Sequence, residues 1–464
     1  MKPFDAKTLN RVWRSLLVET LDESAHNTAM IASINTDSRA IKPMDCFVAL
    51  VGEHFDGHDF CQAAVNQGAN LLVVESKQPI DCPQIVVKDT RRALGLLAAE
   101  IRRQFGGQVI GLTGSVGKTT TKQMLANICQ QVGKTHMTQG NLNNDLGVPF
   151  TWFALPEDCQ FAVIEMGANH QGEIAYLAEI VQPDVGLVLN AGQAHLAGFG
   201  GLDGVAKGKG ELFSALQSHQ TAVINADDAY ANWWQDMAAN AGSKVTFSMR
   251  ENAGADVYAS DIQLAEQRFT LHYGQHTATV NLPVVGKHYV QNAIAAAAAA
   301  YAAGLPMAAV VAGLQTFTLA AGRQQLIQLG QVVIIDDTYN ANPQSMQAAG
   351  DALSFATGYK IMVLGDMAEL GEAQIEIHAQ LGASLQHAAD AFFCTGTMMQ
   401  YFAQHNQRAQ WFLDKQRLSD ELLQWIISNV DKTVPTTILV KGSRSMKMET
   451  IVEFLRQQIN PVEE

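Results

Sequence analysis

A chain of 464 residues, 47% of them hydrophobic, can bury several cores, and its length suggests about two to four domains. Its 45 acidic side chains outnumber the 31 basic ones, for a net charge of −14. That balance excludes nucleic acid as the main partner, because a phosphate backbone needs a basic surface. It leaves room for phosphates held locally by loops and metal ions.

Arg11 and Arg14 interrupt the only early apolar run, 12–18, so no secretory leader is expected. The cysteines at 46, 61, 82, 129, 159 and 394 form no C-x-x-C pair and no zinc spacing, and read as reduced core thiols of a cytoplasmic protein. Over the first hundred residues, short β-like runs at 46–51, 71–74 and 85–87 alternate with polar turns, and 60–67 has helical spacing ending near Gly68. Two turns here are polar enough to meet a phosphate or a sugar: Thr36 to Arg39, and the loop at 52–58 (G-E-H-F-D-G-H). Gly106 and Gly107 mark a plausible boundary.

The next stretch, V-I-G-L-T-G-S-V-G-K-T-T-T at 109–121, joins an apolar strand to a glycine-rich turn and a helix start. Glycines let backbone N–H groups approach phosphate oxygens, and a new helix turns its unpaired N–H groups toward them. Lys118 can reach terminal phosphates and the Thr119 hydroxyl can ligate magnesium. The strict phosphate-loop pattern has Gly where Leu112 stands, with Gly111 one place earlier. Helical spacing is clear from 122 to 129.

From 108 to 317 strands and helices alternate, which implies a mostly parallel sheet. Strands are expected at 109–113, 161–166, 185–190 and 222–225, and ligands in such sheets sit beyond the strands' carboxyl ends. Glu165 lies at one such end; in an apolar strand it needs a metal or an ion-pair partner. His195 follows another, as a second metal ligand or a core histidine. The Lys207 and Lys209 pair reads from spacing alone as a solvated helix start. Past Lys244, runs at 268–272 and 277–282 suggest antiparallel decoration. Asn292, just before an alanine-rich helix, could cap it or read a base edge. That helix is too short and too weakly apolar to span a membrane.

A third α/β pattern begins near 318, with strands expected at 332–336, 361–364, 391–394 and 437–440. Polar loops follow at 337–343, 365–369 and 441–444, with no dinucleotide fingerprint, so this reads as a substrate domain. Arg323 sits at the hinge between the second and third domains.

Taken in order, G-L-T-G-S-V-G-K-T-T (111–120), I-E-M-G-A-N (164–169), N-A-G-Q-A-H (190–195), G-K-H-Y-V-Q-N (286–292), A-G-R (321–323), D-D-T-Y-N-A-N-P (336–343) and K-G-S-R (441–444) resemble the Mur ligases. These are ATP-dependent amide-bond formers of peptidoglycan synthesis. T-D-S-R (36–39), D-C-F-V-A-L (45–50), F-D-G-H (55–58), N-L-N-N-D-L-G-V-P (141–149) and A-N-P-Q (341–344) are similar to the branch joining D-alanyl-D-alanine to UDP-N-acetylmuramoyl-tripeptide. The diaminopimelate-adding branch usually shows D-N-P-R at the last of these.

The resemblance implies three α/β domains: 1–106 for the UDP-sugar, 107–317 as a central ATPase with a mostly parallel sheet, and 318–464 as a Rossmann-like domain for the incoming dipeptide. It implies ATP held by Gly114, Ser115, Val116, Gly117, Lys118, Thr119 and Thr120, with Asn292 on adenine, Arg323 on the phosphates and Asp337 on the ribose. Two magnesium ions are expected, on Thr119, Glu165 and His195, and a carbamylated lysine at Lys209, with Lys207 as the competing assignment. Lys118, Glu165, His195 and Lys209 form the implied catalytic set. Substrate contacts are implied for Ser38, Arg39, Asn141, Asn143, Asn144, Tyr339, Asn340, Asn342, Lys441 and Arg444. A cytoplasmic monomer is expected. The alternatives are another amide ligase of the family, including folylpolyglutamate synthase, and a regulatory phosphate-loop ATPase that makes no bond.

Overall fold

A computed structural model describes residues 4–19, 31–52, 55–193, 195–251, 254–318, 322–431 and 433–459. Glu53 and His54 of the polar loop at 52–58, Ala194 and Ala321 lie outside the described residues. Three α/β units follow one another along the chain, each built on its own sheet.

The first sheet contains β1 (Leu17–Glu19), β2 (Ser33–Asn35), β3 (Asp45–Val48), β4 (Leu71–Val74) and β5 (Gln84–Val87), in the order β1-β5-β4-β3-β2. All pairs are parallel except β1 with β5. The helix Cys61–Gln67 ends at left-handed Gly68, as the spacing predicts. From this unit the long helix Thr90–Gln104 packs Leu94, Leu97 and Ile101 into one apolar cluster with Trp152, Ile174 and Ile180 of the next unit. Burial of that shared surface, roughly 25 cal/mol per Å² of apolar area, fixes the first two units to each other.

The central sheet runs through β6 (Gln108–Thr113), β7 (Thr135–Met137), β8 (Phe161–Glu165), β9 (Val185–Val188), β10 (Thr221–Asn225), β11 (Ser243–Ser248), β12 (Val257–Gln263), β13 (Arg268–Tyr273) and β14 (His276–Asn281), in the order β14-β13-β12-β11-β10-β9-β6-β8-β7. Strands β7 to β12 are parallel, and β12, β13 and β14 form the antiparallel decoration the sequence suggests. The chain leaves β6 toward β8 and β7 on one side and returns as β9 on the other. That reversal of strand order opens a crevice at the carboxyl ends of β6 and β9. The helix Lys287–Ala302 packs on this sheet with its alanines 295 to 300 fully covered, since small side chains allow close approach.

The last sheet holds β15 (Gln325–Leu329), β16 (Val332–Asp337), β17 (Tyr359–Gly365), β18 (Ala391–Thr395), β19 (Ala409–Phe412) and β20 (Thr436–Lys441), ordered β15-β16-β20-β17-β18-β19. Only β15 with β16 is antiparallel. Two apolar clusters flank it, both made of residues from Ile327 onward. The third unit therefore has a core of its own.

Candidate functional site

Between the units lies a cavity of about 1100 Å³ lined from all three: Arg91 and Arg92 from the first, the loops after β6, β8 and β9 from the second, and Arg323, Asp337, Tyr339 and Lys441 from the third. Its floor is the loop after β6. Gly117 is left-handed (φ 83), and a Cβ there would collide with the Asn292 carboxamide oxygen, so only glycine serves. The helix Lys118–Gln130 starts at once, four residues earlier than the clear spacing suggests. Thr121 N–H bonds Gly117 O, leaving the N–H groups of Lys118, Thr119 and Thr120 as first-turn donors without an in-helix acceptor. The loop is braced by the strand at the switch point: Ser115 N–H donates to Asn190 O (3.1 Å) and Val116 N–H to Asn190 Oδ1 (3.0 Å). Lys118 Nζ rests on the Gly114 and Ser115 carbonyls at 2.7 and 3.2 Å. Burial lowers its pKa, Arg323 adds to the effect, and Glu165 opposes it.

Glu165 ends β8 and is 1% exposed. Its Oε1 accepts from Asn143 Nδ2 at 2.8 Å; its Oε2 faces Thr119 Oγ1 and Lys122 Nζ, each at 3.1 Å. Burial pushes the carboxyl up, but Lys122 and Lys118 with the Asn143 bond outweigh it and hold it below the usual carboxylate range. Of the two readings of this carboxylate, the ion pair is present, with Lys122, and the carboxylate also stands on the cavity wall. Glu165 and Thr119 offer hard oxygens on the cavity wall, a donor set that fits magnesium sharing phosphate and water ligands.

His195 lines the cavity too, left-handed (φ 56), with Nδ1 at 2.6 Å from Glu369 Oε2 of the third unit. Burial lowers its pKa, while Glu369 pulls the other way. Lys209 is 1% exposed and donates to Ala168 O at 3.0 Å, whereas Lys207 is exposed. Burial, with the charge of Lys118, brings Lys209 down to about 7. The solvated reading of this pair thus holds for Lys207 and fails for Lys209, because the helix Leu202–Ser214 turns one lysine outward and the other into the protein.

Arg323 Nη2 donates to Thr119 Oγ1 at 3.0 Å. Asp337 and Lys441, both buried, bond at 2.7 Å, and Lys441 also donates to Asn340 O. Burial raises the Asp337 pKa against the pull of Lys441. Asn292 lies inside the helix Lys287–Ala302 and not before it, so it is no cap; it stands over Gly117 at the cavity wall. Asn141, Asn143, Asn144, Tyr339, Asn340 and Asn342 also line the cavity, although Asn342 Oδ1 is occupied capping the helix Pro343–Leu353.

Gly114, Lys209, Ser38, Arg39 and Arg444 are not among the lining residues. Arg39 pairs with Asp37 on the surface, and Arg444 with Glu449. Sequence reasoning missed Lys122, Asn190, Glu369 and the Arg91–Arg92 pair. A lysine amid the apolar positions Met124, Leu125 and Ile128 was the available signal for Lys122.

Three family models match the chain: "Mur ligase family, catalytic domain" over residues 30–102, "Mur ligase middle domain" over 112–300 and "Mur ligase, glutamate ligase domain" over 322–456. The UDP-N-acetylmuramoyl-tripeptide--D-alanyl-D-alanine ligase of Escherichia coli K12 is 42% identical over 92% of this chain and 94% of its own length. A crystal structure of MurF from Acinetobacter baumannii superposes with a TM-score of 0.93 at 38% identity, covering 99% of this chain and 100% of that one. MurF ligase from Thermotoga maritima in complex with ADP superposes at 0.83 and 28% identity, covering 92% of this chain and 97% of that one.

Proposed function

The chain belongs to the Mur ligase family, and from that premise we propose that it joins D-alanyl-D-alanine to UDP-N-acetylmuramoyl-tripeptide, consuming ATP and releasing ADP and phosphate. The observation that carries this is the cavity into which a phosphate loop, a buried carboxylate and the third unit's polar sheet edge all open. An isolated nucleotide switch has no use for that third wall. We assign 1–106 to the UDP-sugar, 107–317 to ATP and 318–464 to the dipeptide, in a cytoplasmic monomer. Among the described residues no helix is long and apolar enough to cross a membrane.

A carboxylate and an amine do not condense in water, so the tripeptide carboxylate must first take the γ-phosphoryl group. Its oxygen bonds to phosphorus as the bond to ADP breaks, and two anions must approach for that to happen. Lys118 and the first-turn N–H groups meet the phosphates, with Arg323 beside them. Glu165 and Thr119 would hold magnesium, as would His195 at a second site; bound there, the ions would offset charge on the transferring group. A carbamate on Lys209 is supported over Lys207 by burial and by the lowered pKa, since only a neutral amine adds carbon dioxide. The free amine of D-alanyl-D-alanine then attacks the acyl phosphate, and the carbon–oxygen bond breaks to release phosphate. Tyr339, Asn340 and Lys441 lie where that amine would arrive; Ser38, Arg39, Asn141, Asn143 and Asn144 are assigned to the UDP-substrate, with Arg444 and Asn342 as outer contacts. Closure of the third unit excludes the water that would waste the intermediate.

The test is ADP release from a panel of UDP-peptides crossed with amine acceptors, using tripeptide labelled with ¹⁸O in its terminal carboxylate. Release that needs both substrates and carries label into phosphate is expected. Brisk ATP hydrolysis with neither substrate, or phosphate without label, overturns the assignment.

A further inference from the structure

Lys122 takes no part in the chemistry above, yet it is one of the most enclosed side chains, 2% exposed. It stands three residues after Thr119, on the same helix face. Its ammonium reaches Glu165 Oε2, the same oxygen Thr119 faces, and is tethered from behind by Gly140 O at 3.1 Å. Asn143 holds the other carboxylate oxygen. A divalent cation settling between Thr119 and Glu165 would therefore meet a fixed positive charge on one of its own ligand atoms. The tether limits how far that charge can withdraw. A triphosphate brings enough negative charge to overcome the repulsion; water does not.

We infer that Lys122 sets the order of loading: it satisfies Glu165 in the nucleotide-free protein, so that magnesium enters with the nucleotide and not before it. Lys122 is on this view a positioning residue, and its role rests on the assignment of Glu165 and Thr119 to magnesium. The coupling is reciprocal: whatever repulsion the lysine exerts on the metal is relieved when it is removed.

Titrating magnesium chloride into the full-length, nucleotide-free protein by calorimetry tests this. Lys122→Met should bind magnesium about tenfold or more tightly than wild type. Lys122→Gln, which keeps a donor to Glu165 but no charge, should show the same gain, separating charge from hydrogen bonding and covering a poorly folded Met variant. Magnesium should also raise the melting temperature of either variant far more than that of wild type. Adding Glu165→Gln should abolish the gain. A purely structural pair would lose stability in Lys122→Met with no recovery by magnesium. Unchanged metal affinity in both single variants overturns the inference alone, provided Glu165→Gln still weakens magnesium–nucleotide binding in the wild-type background. If Glu165→Gln leaves that binding intact, the metal assignment itself falls and the inference with it.

Discussion

Arg323 crosses from the third unit to the phosphate loop, where its Nη2 donates to Thr119 Oγ1 while its guanidinium lies 4.1 Å over the Tyr339 ring. One side chain thus ties the hinge, the helix start after β6 and the loop after β16 together. Arg323→Ala should raise the KM for ATP by roughly tenfold to a hundredfold, the worth of about 1.5–3 kcal/mol for a charge-assisted hydrogen bond. Arg323→Lys should recover little, because an ammonium has neither the planar fork nor the stacking face. ATP saturation kinetics check both, and an unchanged KM in Arg323→Ala would remove the arginine from the phosphate site.

Lys209 is lowered to about 7 from an ordinary 10.5, first by burial and then by Lys118. Between those values the unfolded chain holds a proton that the folded one lacks, so this group makes stability rise with pH across the window. Below about 7 both states are protonated and the burial penalty is complete. The same shift supplies neutral amine near neutral pH. With ¹³C-labelled bicarbonate, a carbamate resonance should be present at about pH 8.5 and absent at about pH 5.5. Lys209→Gln should abolish it and Lys207→Gln should not; the reverse pattern would reassign the modified lysine.

The sequence discloses most interior parallel strands because strands covered on both faces are continuous apolar runs, but not the interior Ser243–Ser248 and Val257–Gln263, whose runs polar residues break. The expected 109–113 and 71–74 are the observed Gln108–Thr113 and Leu71–Val74 to within a residue. Edge strands carry no such run: Thr135–Met137 (T-H-M), Gln325–Leu329 (Q-L-I-Q-L) and Ala409–Phe412 (A-Q-W-F) escape notice for that reason. In the site, polar residues following an apolar strand were legible, as Glu165 and Asp337 demonstrate. Pairings across the chain were not, because nothing in local spacing tells Glu165 that Lys122 will be its partner. Asn342 was legible as a loop asparagine but not as a cap, and its side chain is committed to capping the helix Pro343–Leu353.

His195 and Glu369, both left-handed, face each other at 2.6 Å across the boundary between the second and third units. Among the described residues the apolar cores of the second and third units are separate, so polar contacts of this kind contribute to how often the two stand closed. With its pKa lowered the imidazole is uncharged near neutral pH, so this is a partly exposed hydrogen bond to a carboxylate, worth about 1 kcal/mol, a few-fold shift in population. Glu369→Ala should therefore enlarge the radius of gyration of the nucleotide-free protein in small-angle scattering, with saturating ATP and UDP-substrate restoring it. An unchanged scattering profile would show that closure is held elsewhere.

Asp337 and Lys441 face each other from the carboxyl ends of β16 and β20, both buried and bonded at 2.7 Å. Taking one partner away leaves the other as an uncompensated buried charge, which costs about 3–5 kcal/mol. Lys441→Met should thus destabilise the third unit by roughly that amount. Asp337→Asn in the same chain should recover much of the loss, since a neutral amide can remain buried with fewer demands. The direction of the Asp337 shift gives a second check. Burial raises its pKa, so in the window above the ordinary 3.8 the folded state holds a proton the unfolded one has lost, and this group costs stability as pH rises. Without Lys441 that cost should steepen, making Lys441→Met comparatively better folded in mild acid than at neutral pH. Chemical denaturation of the single and double variants at both pH values measures the coupling, and strictly additive losses would mean the two charges do not depend on each other.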